Sequence, residues 1–185
     1  MSDISDLDYA LTNFDIKKIY PGLPVITYPE IANYHDIHNL TNNKYSGCIV
    51  LVVHTENEGG GISGHWILLW RNPRTDDVYC WDSYGKYPDQ HIIDLGHDRV
   101  NYDEENLYLS NMLMNDNTIR QIFYNPNQYQ KKSYNVATCG KWCCWRLMCY
   151  LMGILNENEF KKLINKVKKE KKLKNDDEVV NSIFE

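Results

Sequence analysis

The segment Asn135-Val-Ala-Thr-Cys-Gly-Lys-Trp-Cys-Cys-Trp-Arg-Leu147 carries the sharpest chemical signal in the chain. Small and polar residues lead into a long apolar run, so Cys139 falls at the start of a predicted helix. Backbone N–H groups and the helix dipole at such a position favour a thiolate and lower a cysteine's pKa. A protonated His65 alongside would lower it further, giving an activated sulfur nucleophile. The N–H of Cys139 is then placed to help bind an oxyanion. Gly140, with no side chain, would let a substrate approach closely. Taken alone, Cys139 fits a core thiol as well as a nucleophile. Cys143, Cys144 and Cys149 lie inside the predicted helix and read as small buried hydrophobes, as do Cys48 and Cys80 in predicted strands. No Cys-x-x-Cys pair occurs, so no metal site is expected. No Lys-Ser/Thr follows Gly59–Gly61, so a phosphate loop is not expected there either. No cofactor is expected.

A base and an acid are offered by the strands on either side of Arg71–Asp77. If these form an antiparallel hairpin turning near Pro73 and Arg74, His65 faces Asp82 and Trp66 faces Trp81. Directly opposed side chains have Cβ atoms ~4.5–5.5 Å apart, close enough for a carboxylate to fix an imidazole's tautomer and stabilise its cation. A one-residue slip would break the pair. An isolated His–Asp pair at a sheet end needs no chemistry to explain it. Asp76 and Asp77 are alternative partners, but both fall in the turn. The convergence of this hairpin with Cys139 favours catalysis.

The elements that must position these groups are legible in outline. Thr27 and Glu30 have capping-box spacing and Pro29 suits a first turn, predicting a helix to about Leu40. Cys48–His54 is a continuous apolar run, read as a strand buried on both faces. Glu56–Gly64 reads as a polar loop. His65–Trp70 and Val78–Asp82 read as strands, and Ser83-Tyr-Gly85 ends the second. Glu104–Met114 is read as a helix, Thr118–Tyr124 as a strand broken by Asn125-Pro-Asn127, Cys139–Leu155 as a buried helix and Glu157–Val180 as a charged helix. The fold class is therefore α+β: a mostly antiparallel sheet packed against the helix that carries Cys139.

Composition bounds the function. The chain has 185 residues, 43% hydrophobic and 24% charged, with net charge −5. That describes one globular domain over 1–185, with its core at about 48–155 and a charged helix at about 157–180. No run reaches the ~18 apolar residues that cross a bilayer. The polar, acidic start Met1–Asp6 does not read as a secretory signal, so the six cysteines are expected to be reduced. A monomer is expected.

Gly64-His65-Trp66, Trp81-Asp82-Ser83-Tyr84-Gly85, Gln130 and Thr138-Cys139-Gly140 resemble the adenovirus protease, adenain, and its relatives the SUMO-specific proteases. The order His, acid, Gln, Cys and the seventeen residues from His65 to Asp82 match theirs. The resemblance covers roughly Cys48 to Leu155, and Thr-Cys-Gly-Lys-Trp-Cys followed by Arg146 looks most like the proteases of virophages, Maverick/Polinton elements and large DNA viruses. It implies an adenain-like fold, with His65 as general base, Asp82 as its orienter, Gln130 as oxyanion donor and Cys139 as nucleophile. The family's glutamine lies closer to the nucleophile, where this chain has Lys132 and Ser133. A small loop insertion would place Gln130, with Gln128 the rival and Asn135 a distant third.

The resemblance further implies cleavage of capsid or other virion precursors during particle maturation, in the virion and the host cytoplasm or viral factory, with no membrane partner. Trp66 and the Gly59–Gly64 loop, Gly64 included, would then form a narrow groove favouring a small residue, with Gly140 allowing close approach, although Trp66 fits plain hairpin packing equally well. The competing activity is a ubiquitin- or SUMO-type isopeptidase. Eight lysines from Lys161 to Lys174 raise a DNA activator, and the resemblance a peptide activator. A solvated helix face, balanced by Glu157, Glu159, Glu170 and Asp176-Asp-Glu178, explains the same run.

Overall fold

The computed structural model describes residues 6–56, 62–95, 107–133 and 135–184. Of the expected Glu56–Gly64 loop, positions 57–61 lie outside the described residues, while Glu56 and Ile62–Gly64 prove to be strand ends; positions 104–106 of the expected Glu104–Met114 helix also lie outside the described residues. The described elements run in chain order: α1 (Asn13–Ile19), β1 (Val25–Thr27), a 3-10 helix (Tyr28–Asn33), α2 (Ile37–Thr41), β2 (Gly47–Glu56), β3 (Ile62–Arg71), β4 (Val78–Trp81), α3 (Gln90–Leu95), α4 (Tyr108–Asn115), β5 (Ile122–Tyr124), α5 (Cys139–Leu151), α6 (Glu157–Lys171) and α7 (Asp176–Asn181).

The five strands form one sheet in sequence order. The long central pairings, β2 with β3 and β3 with β4, are antiparallel. The short outer strands β1 and β5 join in parallel. This is the expected α+β architecture. Alternation along the strands divides the core between two faces. Trp66, Leu68 and Trp70 pack with Ile49, Leu51 and the α5 residues Trp142, Cys143 and Leu147. Ile67 and Leu69 pack on the other face with Cys48, Val50, Val78, Cys80 and α4. Burial on both faces explains why Cys48–Val52 of β2 carries no polar stripe.

Several boundaries differ from the sequence reading, each for a local reason. The helix expected from Thr27 to Leu40 is two pieces. Thr27 and Glu30 do form their capping box, but Tyr34 is extended and Asp36 caps a new helix by accepting from the Asn39 N–H at 2.7 Å. The charged helix expected over Glu157–Val180 is also two. Lys172 is left-handed, with φ 57°, and Asn175 caps α7 by accepting from the Glu178 N–H at 2.9 Å. The expected Cys139–Leu155 helix ends at Leu151, where Gly153 turns the chain at φ 84° and the Ile154 N–H reaches back to the Cys149 carbonyl at 2.9 Å. The expected Thr118–Tyr124 strand is shortened because Asp116 holds Thr118 in a turn. The α4 helix begins at Tyr108 and runs one residue past Met114.

The hairpin register is offset by two residues from the expected one. Leu68, not Trp66, faces Trp81, because the turn closes between Asn72 N–H and the Asp77 carbonyl at 2.8 Å. An even offset keeps every side chain on its face, so the consequence for His65 and Asp82 is small.

Candidate active site

The site lies where β3, β4 and α5 meet. β4 ends at Trp81, and Asp82 is the next residue. Its backbone is gripped by buried Asn125, whose side chain accepts from Asp82 N–H at 2.9 Å and donates to Asp82 O at 2.8 Å. The Asn125 amide thus continues the parallel ladder of β4 and β5 by one rung, a role the sequence reading missed when it took Asn125-Pro-Asn127 as a breaker only. Gly85 closes the following turn with φ +71°. A Cβ there would sit 2.8 Å from the backbone carbon of Asn127. Gly85→Ala is therefore expected to destabilise the fold by about 2–4 kcal/mol, from left-handed strain plus an unyielding clash. Denaturant unfolding measures this, and a loss under ~1 kcal/mol would contradict the rigid turn.

Asp82 Oδ1 accepts from His65 Nε2 at 3.0 Å and from the Tyr84 N–H at 2.7 Å. The expected His65–Asp82 contact is therefore present. With Nε2 committed to the carboxylate, His65 presents Nδ1 as its free basic nitrogen. The Tyr84 ring stacks on the His65 ring at 4.7 Å and 14°. A second partner, unsignalled by any motif or spacing, is His91, whose Nε2 meets Asp82 Oδ2 at 2.5 Å.

Cys139 opens α5, as expected. Its N-cap Thr138 makes no side-chain cap bond, because its hydroxyl donates to buried Asp177 of α7 at 2.5 Å. Asp177 also accepts from Lys131 N–H at 2.9 Å and Trp142 Nε1 at 3.3 Å. The C-terminal helix thus anchors the nucleophile's helix and the loop before it. The Cys139 thiol donates to the Gly64 carbonyl at 3.1 Å, which sets the sulfur beside the residue preceding His65. Gln130 is buried, its Oε1 accepting from Ser83 Oγ at 2.8 Å and its Nε2 donating to Val136 O at 3.2 Å. Ser83 also accepts the Gln130 N–H at 3.0 Å. Gln128 and Asn135 are exposed, so of the three amides Gln130 is the one held inside. Ser83 is the anchor that sequence reasoning missed.

Two expected groove residues are corrected. Trp66 is fully buried and donates to the Leu11 carbonyl at 2.8 Å. The space beside Gly140 is already filled: a Cβ there would lie 2.9 Å from Leu11 Cβ and 3.2 Å from Trp66 Cδ1. Both residues serve to pack the N-terminal segment against α5. Gly64 is half-buried and acts through its carbonyl.

The electrostatics also correct an expectation. Burial pushes the Cys139 thiol up to about 11, against the opposing pull of the Trp66, Gly140 and Cys139 N–H groups. Burial likewise lowers His65, outweighing the hydrogen bond and charge of Asp82, with His91 and Lys86 adding to the lowering. Burial would raise Asp82, but hydrogen bonds from His65 and His91 hold it well below the usual carboxylate range. Both shifts oppose a preformed thiolate–imidazolium pair: burial pushes the thiol up and the imidazole down, while Asp82 is held ionised. The helix terminus is outweighed because it supplies about half a charge, whereas desolvation acts on the whole thiolate.

This fixes a pH signature. The folded state binds His65's proton less tightly than the unfolded chain does, so its stabilising contribution is complete above the ordinary histidine pKa of about 6.5. It is lost as pH falls from there to the depressed folded value, at up to ~1.4 kcal/mol per pH unit for this one proton. Asp82 adds a further loss at far lower pH, below its unfolded pKa of about 3.9. Unfolding free energies measured across this range should fall with acidification, and His65→Asn should flatten the upper portion. Stability that instead falls as pH rises through this range would show that folding raises the pKa of His65 rather than lowering it.

The six cysteines are free, and no helix among the described residues is long and apolar enough to cross a membrane. The adenovirus endoprotease family matches the chain over residues 38–183. An uncharacterized protein, V9, of the Sputnik virophage is 31% identical over 159 residues, covering 84% of this chain and 83% of that protein. No solved structure matches the chain.

Proposed function

Since this chain belongs to the adenovirus endoprotease family, we propose that it is a viral cysteine endopeptidase that cleaves capsid or other virion precursors during particle maturation. One observation carries the reading: Cys139 opens α5 with its thiol on the carbonyl preceding His65, and His65 is held by Asp82 at 3.0 Å. In the proposed reaction, His65 Nδ1 takes the thiol proton as Cys139 Sγ attacks the scissile carbonyl. The Cys139 N–H and the Gln130 amide stabilise the oxyanion. The imidazolium then gives its proton to the leaving amine, and the C–N bond breaks to leave a thioester. His65 next takes a proton from water, whose oxygen attacks the thioester, and returns it to sulfur as the acid product departs. Asp82 stays ionised and stabilises the imidazolium at each stage.

The discriminating experiment incubates the whole chain with a capsid precursor and, separately, with ubiquitin-like conjugates. Cleavage of the precursor that disappears in a Cys139 variant supports the reading. Cleavage of the conjugates alone would replace it with the isopeptidase reading, and cleavage of neither would remove both. An activator, whether DNA or a peptide, belongs to the same proposal. The lysines of α6 are partly engaged within the chain, Lys168 with Asp176 and Lys171 with the Ser182 carbonyl at 2.5 Å. Salt-dependent DNA binding by the remaining lysines tests that part.

A further inference from the structure

Asp82 has two oxygens and serves two histidines. His65 takes Oδ1, and His91, on the short helix α3, takes Oδ2 at 2.5 Å. The other ring nitrogen of His91, Nδ1, lies 3.2 Å from Lys86 Nζ, and that same ammonium reaches Asp94 Oδ2 at 2.7 Å. An ammonium only donates. His91 Nδ1 must therefore offer a lone pair, which puts the ring's proton on Nε2, where it points at Asp82. The charged or titratable groups that face His91 are Asp82, His65, Tyr84, Lys86 and Asp94. α3 itself is held in place by buried Asp89, which accepts from Tyr28 Oη at 2.6 Å and from the Ser110 N–H at 2.7 Å.

We propose that His91 is a positioning residue for the His65–Asp82 pair, held by Lys86 as the neutral tautomer with its proton on Nε2 and thereby fixing the Asp82 carboxylate in the orientation that receives His65. The catalytic importance of this arm rests on the peptidase reading above. The arm extends from Asp94 through Lys86, His91 and Asp82 to His65, and each link alternates donor and acceptor without conflict. Two hydrogen bonds on Oδ1 and one on Oδ2 leave the carboxylate little freedom to rotate away from His65. His65, Asp82 and His91 also bring three donor atoms within 4.8 Å of one another, a set that could suit zinc. A metal on His91 Nε2 would move the ring proton to Nδ1, against Lys86, and would add positive charge beside that ammonium. The contact with Lys86 therefore favours a proton at this position over a metal.

The test has two independent readouts on the full chain. Nitrogen NMR of ring-labelled histidines should show His91 with a bare Nδ1 and a protonated Nε2 at neutral pH, and Lys86→Met should erode that preference. In turnover, His91→Leu should lower kcat/KM by roughly 10–100-fold, in the range of other orienting partners. It should also move the acid limb of the profile to higher pH, because Asp82, with one donor fewer, binds His65's proton more strongly. His91→Gln, which restores an N–H donor to Asp82, should recover most of both effects. A merely structural role for His91 would lower activity without moving the limb. A doubly protonated or Nδ1-protonated His91, an unmoved limb, or stoichiometric zinc bound through His91 would each overturn the proposal. The NMR result stands apart from peptidase activity, so an inactive chain with the expected tautomer would count against the peptidase reading alone.

Discussion

Cys139→Ala is expected to abolish precursor cleavage, with a loss of at least about 10⁴-fold in kcat, while the chain stays folded. The size follows from chemistry: without sulfur there is no nucleophile and no thioester, and only binding and the oxyanion donors remain. The fold should survive because the substitution removes one buried atom and one thiol hydrogen bond, to Gly64 O at 3.1 Å, together worth about 1 kcal/mol. Activity and thermal unfolding measured on the same preparation separate the two effects. Retained cleavage in the alanine variant would remove Cys139 from the mechanism. A thiol-reactive peptide probe adds a kinetic check. With the thiol raised to about 11 by burial, simple alkylation of Cys139 should be slow at neutral pH and accelerate toward alkaline pH, whereas a substrate-like probe engages His65 as the base.

Asp82→Asn is expected to reduce kcat/KM by about 10²–10⁴-fold, the scale set by replacing the acid of a catalytic triad with its amide. The cause is a conflict of donors. Oδ1 accepts from His65 and from the Tyr84 N–H, and Oδ2 accepts from His91. If the asparagine keeps its oxygen toward Tyr84, its NH₂ meets the Nε2–H of His91, which Lys86 keeps from shifting to Nδ1. If it turns the NH₂ toward His65, that ring must put its proton on Nδ1 and can no longer accept one from sulfur. Every orientation leaves a buried donor unmatched, so a stability loss of about 1–3 kcal/mol accompanies the kinetic one. Asp82→Asn with near-normal turnover would show that another group orients His65.

The chain order of nucleophile, base and acid was legible because each sits at a punctuation point of the sequence. Cys139 follows small residues at the start of an apolar helical run. His65 opens a β-rich run, and Asp82 closes another just before Ser83-Tyr-Gly85. The strand pattern gave the faces correctly even where the register was misjudged by two residues, since face depends only on parity. The helices were less legible. Tyr34 and Lys172 end one helix, Asp36 and Asn175 begin the next through side-chain caps, and apolar periodicity runs through such breaks without marking them.

By itself, then, the sequence determined which residues alternate in strands, that Cys139 begins a helix, and which three groups could do thiol chemistry. Only the tertiary structure decided their surroundings. Burial of Trp66 and Gly140 against Leu11 took both away from substrate contact, and the anchoring of Gln130 by Ser83 separated it from Gln128. Desolvation reversed the expected direction of the thiol's pKa, and His91 arrived at Asp82 from another element. The reason is one of range. Helix and strand periodicity act over a few neighbouring residues, whereas a hydrogen bond or a loss of solvation depends on which distant segments fold against the same point.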